Sequence, residues 1–261
     1  MIELKDVTKK YGELTAVNNV SLQVAAGEIF AFLGPNGAGK TTTIKMLTTL
    51  TRPTAGEITI HNINVVSDPA GVRRTFGIVF QDPSLDNELT AYENMHFHAA
   101  LYGLSRAQYA ERIKLLLELV ALTDRQHHFV KTFSGGMKRR LEIARGLLHQ
   151  PKVLFLDEPT LGLDPQTRQH IWNYVRNLNK TEGVTVFFTT HHMEEVERAA
   201  GRLAIIDHGR IVARGTPAEI MQNAKATTLE DAFIALTGHT MREETSDFGK
   251  NQMRTTLKMF K

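Results

Sequence analysis

Cysteine is missing from all 261 residues, which excludes a disulfide framework and any thiolate metal site and fits a reducing compartment. Missing too is an apolar run long enough to cross a bilayer. Charges appear from the start, at Glu3, Lys5 and Asp6, where a signal peptide would put apolar residues, so a soluble protein is expected. Neither sign of charge dominates. Lys and Arg number 31 against 28 Asp and Glu, a net of +3 with eleven histidines neutral. No basic stripe argues for a nucleic-acid partner. Repeats and low-complexity tracts are absent. What remains is 42% apolar content, enough for one substantial core with a small inserted subdomain.

The stretch that organises the chain is Gly34-Pro35-Asn36-Gly37-Ala38-Gly39-Lys40-Thr41, followed by Thr42. It fits the phosphate-binding pattern G-x-x-x-x-G-K-[ST]. A polyphosphate needs several inward-pointing backbone N–H groups, and glycines let the backbone approach closely. Lys40 supplies a mobile positive charge, and the Thr41 hydroxyl is placed for Mg²⁺. The flanks agree: Ile29 to Leu33 reads as a buried strand, and Thr41 to Leu50 as a helix whose N-terminus faces the anion. The chain is expected to bind a nucleoside triphosphate.

Around this loop, Ile2–Val7 and Val20–Val24 read as antiparallel strands, with Tyr11 and Gly12 in the turn between them. Tyr11 is either a base-stacking ring or a surface tyrosine. Gly77–Phe80 is an apolar strand ending at Gln81, which at a strand edge can reach a metal or water beside phosphates. Residues from about 82 to 150 read as a helical insertion, with Ala107–Leu122 its strongest helix. His96, His98, His127 and His128 lack the further ligands of a metal site. Ser134 caps a helix with Gly135 and Gly136 in its first turn, a second anion-binding device. The run Lys138-Arg139-Arg140 reads as a solvated helix face. Val153–Leu156 is an apolar strand running into Asp157, the metal-side carboxylate, and Glu158, the candidate for polarising water. A further strand, Val184–Thr190, closes on His191-His192, either a phosphate contact or a helix cap. Leu203–Ile206 and Arg210–Ala213 form a hairpin, Thr216-Pro217 opens a helix, and a polar, mobile tail is expected over 238–261.

Taken in order, these motifs resemble the nucleotide-binding subunit of an ABC transporter over residues 1–237: phosphate loop, Gln81, Ser134-Gly135-Gly136, Asp157-Glu158, Leu161-Gly162-Leu163-Asp164 and a switch histidine, with His191 at the family position. The surrounding residues, among them Met137 to Arg145 and Thr190 to Glu195, are similar to the daunorubicin/multidrug-resistance type of exporter ATPase. Met137 departs from the glutamine usual in the wider family but matches exporters of this type.

The resemblance implies an α/β fold: a phosphate-loop NTPase core with a mainly parallel sheet, an N-terminal antiparallel β-subdomain and the helical insertion. It implies ATP hydrolysis with Mg²⁺ in a head-to-tail homodimer, each ATP lying between one phosphate loop and the other copy's Ser134-Gly135-Gly136. Tyr11 would stack on adenine, and Thr41, Gln81 and Asp157 would organise Mg²⁺. Glu158 would activate water, His191 would fix the γ-phosphate, and Asp164 would bridge the subunits. A separate integral-membrane permease would hold the chain peripherally at the cytoplasmic face of the membrane and supply the transported substrate's pocket. A non-transport ABC ATPase of ribosomes or DNA is the alternative; its doubled cassettes or long coiled coil are not found here.

Overall fold

The computed structural model describes residues 2–82 and 84–238; of the mobile tail expected over 238–261, Gly238 is the C-cap of the last described helix and the rest lies outside the described residues. The chain begins with β1 (Ile2–Tyr11) and β2 (Leu14–Val24), antiparallel partners in which Ile2 faces Val24 and Leu4 faces Leu22. Tyr11 ends β1 rather than sitting in the turn. Then come β3 (Ile29–Leu33), α1 (Lys40–Leu47), β4 (Ala55–Ile60) and β5 (Ile63–Asn64). Helix α1 stops three residues earlier than the expected Leu50. The Thr48 hydroxyl turns back to the Ile44 carbonyl, and Thr49 is left-handed at φ 63°. The β4–β5 hairpin turns through His61 and Asn62, both at positive φ, as a tight two-residue loop requires.

Asp68 caps α2 (Pro69–Thr75), which leads into β6 (Phe76–Val79). The segment that follows is helical: α3 (Ala91–Leu101), α4 (Arg106–Leu119) and α5 (Gly135–Gly146), with 3-10 turns between the last two. Thr90 and Glu93 form a capping box on α3. The chain returns through β7 (Val153–Asp157), α6 (Pro165–Glu182), β8 (Thr185–Thr189), α7 (Met193–Ala199), β9 (Arg202–Asp207) and β10 (Arg210–Gly215). Two helices, α8 (Pro217–Ala224) and α9 (Leu229–Thr237), end the described residues.

Two sheets result. One is antiparallel in the order β2-β1-β4-β5; the other runs β10-β9-β3-β8-β7-β6, parallel except for β10. Strand alternation divides the core between them. Phe30, Phe32, Phe155 and Phe187 turn one way and pack with Ile2, Leu4, Val20 and Leu22 of the antiparallel sheet. Their neighbours Ala31, Leu33, Leu154, Leu156 and Phe188 turn the other way, toward the helices, where Trp172 meets Phe188 edge-on at 4.5 Å.

Helix α5 lies against β6 so closely that a Cβ on Gly77 would stand 2.0 Å from the Gly146 carbonyl oxygen. Both sides of that contact are backbone, so neither can yield without moving its element. Gly77→Ala is therefore expected to cost about 3 kcal/mol, read as a lower urea midpoint with an unchanged slope.

Candidate active site

Residues 34–42 run from the C-terminal end of β3 into α1. Gly39 is the N-cap of α1 at φ 112°, a conformation closed to L side chains, and a Cβ there would strike the Ala16 carbonyl oxygen. Inside the loop the Ala38 N–H donates to the Pro35 carbonyl at 3.2 Å, while the Ala38 carbonyl accepts from Gly209 at 3.0 Å. Asn36 and Gly37 are exposed at the tip. Lys40 is only 7% exposed and donates to the carbonyls of Gly34 and Pro35, the latter at 3.0 Å. Thr41 and Thr42 follow in the first turn of α1, Thr41 exposed.

The adjoining strands bring the carboxylates. Parallel register sets Asp157 beside Thr189. The Thr189 hydroxyl donates to Asp157 Oδ1 at 2.6 Å and accepts from the Glu158 N–H at 3.1 Å. Glu158 itself is left-handed at φ 48°. Its Oε2 stands 3.5 Å from His191 Nδ1, so of the two histidines His191 is the one paired with it. His192 makes no side-chain cap to α7; burial and the neighbouring His191 charge pull its pKa down.

The two acids are tuned in opposite directions. Burial raises the Asp157 carboxyl, and the Glu158 charge adds to this against the Thr189 bond, Lys40 and Arg139. Burial also pushes Glu158 upward, but there the His191 bond and the charges of His191, Lys40 and His192 prevail, and its pKa falls below 4.5. Those shared Lys40 effects place phosphate loop, Asp157 and Glu158 in one electrostatic neighbourhood.

Other residues singled out in the sequence lie around this cluster. Tyr11 is 47% exposed, with Lys9 Nζ 4.9 Å from its ring centre. Gln81 follows β6, and its carbonyl accepts from Arg139 at 3.4 Å. Ser134 caps α5 by accepting from the Met137 N–H at 3.2 Å, with Gly135 and Gly136 in the first turn beside Leu163 and Thr167. Met137 packs partly buried against the core. Asp164 caps α6, bonding Thr167 N at 2.9 Å and Thr167 Oγ1 at 2.6 Å. The paired histidines serve packing contacts: His96 lies against Tyr92 and Tyr109, and His98 against Tyr102 and His149. Burial, with Arg145 and His149 nearby, pushes His98 down to about 3.

One expectation, a solvated face over Lys138-Arg139-Arg140, is corrected for two of its three residues. Lys138 stays at the surface, bonded to the Asn87 side chain, but Arg139 is 6% exposed and bonded to four groups, and Arg140 donates to the Val120 carbonyl at 2.8 Å. A charge run carries no sign of burial when its partners are carbonyls distant in sequence. Also missed was Glu195, a buried carboxylate accepting from Thr160 and, at 2.6 Å, from Thr190. It joins the loop after Glu158 to the loop holding His191. Its first-turn place in α7 alone would suggest only a favourable helix-end charge.

The opposed shifts predict opposite stability effects in the nucleotide-free protein. Asp157, raised on folding, costs stability once ionised, so Asp157→Asn should melt higher near neutral pH, the gain vanishing below about 3.8. Glu158, lowered on folding, contributes stability above 4.5 that is lost as pH falls through its folded pKa. Glu158→Gln should accordingly melt lower at neutral pH and converge with the parent in acid. Melting temperatures measured from about pH 3 to about pH 7 check both signs.

Comparison with known proteins accords with this geometry. A family model described as ABC transporter matches residues 17–161. The linearmycin resistance ATP-binding protein LnrL of Bacillus subtilis is 42% identical over 229 residues, 88% of this chain and 73% of that protein. The doxorubicin resistance ATP-binding protein DrrA of Mycobacterium tuberculosis is 42% identical over 253 residues, 93% of this chain and 76% of its own. Among solved structures, the dimeric post-hydrolysis state of the ATP-binding cassette MJ0796, bound to ADP and Pi, superposes with a TM-score of 0.73 at 31% identity, covering 83% of this chain and 98% of that one. The resemblance to resistance-type ATPases is matched by these relatives. With its phosphate loop set beside two oppositely tuned carboxylates, the chain belongs to the ABC transporter family as an ATP-binding, ATP-hydrolysing subunit.

Proposed function

We propose that the chain is the ATPase subunit of an exporter, working as a head-to-tail homodimer on a separate integral-membrane permease at the cytoplasmic membrane face. The Glu158–His191 pair at 3.5 Å, beside the phosphate loop, carries this reading. The resistance functions named for its relatives favour export, and the dimeric cassette bound to ADP and Pi favours the two-subunit arrangement.

In this reading Tyr11 stacks on adenine and Lys40 holds the phosphates. Glu158, kept ionised by its surroundings, accepts the proton of the attacking water, and His191 orients that carboxylate and the γ-phosphate. Ser134, Gly135 and Gly136 of the partner copy close over the phosphates with the N-terminus of α5, excluding bulk water. Asp164, exposed at the N-terminus of α6, faces the other subunit. Thr41, Gln81 and Asp157 offer only oxygen donors, a hard set suited to Mg²⁺, which when bound neutralises phosphate charge. The insertion over about 82–150 moves as a unit, and the permease reads that motion near Gln81 to Asn94.

Glu158→Gln should retain ATP binding while turnover falls by about 10²–10⁴, and light scattering should find a dimer only with Mg-ATP. A mass indifferent to ATP, or near-parental hydrolysis, counts against this function. Ser134→Arg should bind nucleotide as a monomer yet not turn over; full activity would sink the head-to-tail geometry.

A further inference from the structure

Arg139 stands one turn into the helix that Ser134 caps, with four bonds to three separate segments. Nη1 donates to the Phe80 carbonyl at the end of β6 and to Glu142 Oε2 at 3.1 Å. Nη2 donates to the Gln81 carbonyl at 3.4 Å and to the Glu158 carbonyl at 3.1 Å. Glu142, 2% exposed, accepts in turn from the Ser84 N–H at 2.7 Å, and Arg145 donates to the Ser84 carbonyl at 2.9 Å. Thus Arg139, Glu142 and Arg145 of α5 together hold the backbone of 80, 81 and 84, and Arg139 holds that of Glu158 as well.

A planar guanidinium presents its donors at fixed angles, so these carbonyls are held relative to one another as well as to the helix. Helix packing alone does not require a buried cation here, since a hydrophobic side chain fills such a site without desolvation. Three of the four acceptors lie on the backbone of the Gln81 and Glu158 segments.

We propose that Arg139 is a positioning residue for ATP hydrolysis, fixing the backbone of Glu158 and Gln81 to the helix that begins at Ser134. The catalytic carboxylate, the glutamine and the signature turn are then mechanically linked through one side chain. Displacement of α5 is delivered directly to Glu158, and withdrawal of the helix withdraws the carboxylate. The inference rests on the roles given above to Glu158 and Ser134.

The test is Arg139→Met, alone and with Glu142→Gln, in the full chain. The double variant removes both members of the Arg139–Glu142 ion pair together, while the amide oxygen introduced by Glu142→Gln can still accept from Ser84. Arg139→Met should lower kcat by between about tenfold and a hundredfold, with KM for ATP within about twofold. The double variant should regain melting temperature but not kcat, and Arg139→Lys should restore part of kcat. Unchanged kcat in Arg139→Met, or kcat returning with melting temperature in the double variant, would overturn the proposal. Glu158→Gln serves as the reference. Turnover surviving there removes the catalytic assignment and this inference together; turnover lost there but intact in Arg139→Met removes the inference alone.

Discussion

Adjacent carboxylates at the end of a buried strand repel one another and resist leaving water, and this chain places Asp157 and Glu158 there. The Thr189 hydroxyl makes the arrangement tenable, donating to Asp157 and accepting from the Glu158 N–H in the same few ångströms. The first bond tempers the rise of the Asp157 pKa; the second fixes a backbone turn that sends the next side chain toward His191. Because β7 and β8 are parallel and in register, the hydroxyl arrives without any loop having to carry it. The remaining geometry of the candidate site depends on that register.

The register depends on the core. Phe187 of β8 touches Phe30, Phe32 and Phe155 at ring separations of 5.5–5.8 Å, so the strands bearing the phosphate loop and the carboxylates share one aromatic seam. A one-residue slip in any of them would turn those rings toward the helices and their small neighbours toward the seam. The antiparallel sheet covers this face and the helices cover the other, so the site needs both layers although few of their residues reach it.

Much of this was legible because local rules sufficed. The phosphate loop, Ser134 as a cap, Pro217 in a first helical turn and the apolar strands all announce themselves within a few residues. Short elements with weaker signals were less visible: α2 is seven residues, β5 only two, and α9 follows a polar stretch. Helix ends also shifted where Thr48 and Thr49 favoured a turn. Least legible were bonds spanning the chain. Arg139 to Phe80 crosses 59 positions and Thr160 to Glu195 crosses 35, and neither pairing leaves a mark in composition or periodicity. An arginine in a basic run reads as surface until the carbonyls opposite it are known.

The Lys40 ammonium rests on two carbonyls of its own loop. An incoming anion must therefore compete with the loop for this cation, and a weakly basic monoanion gains little from an exchange that a triphosphate, with charge spread along the turn, readily wins. The contacts that keep Lys40, the only buried lysine among the described residues, in place are therefore also contacts that an arriving anion has to displace.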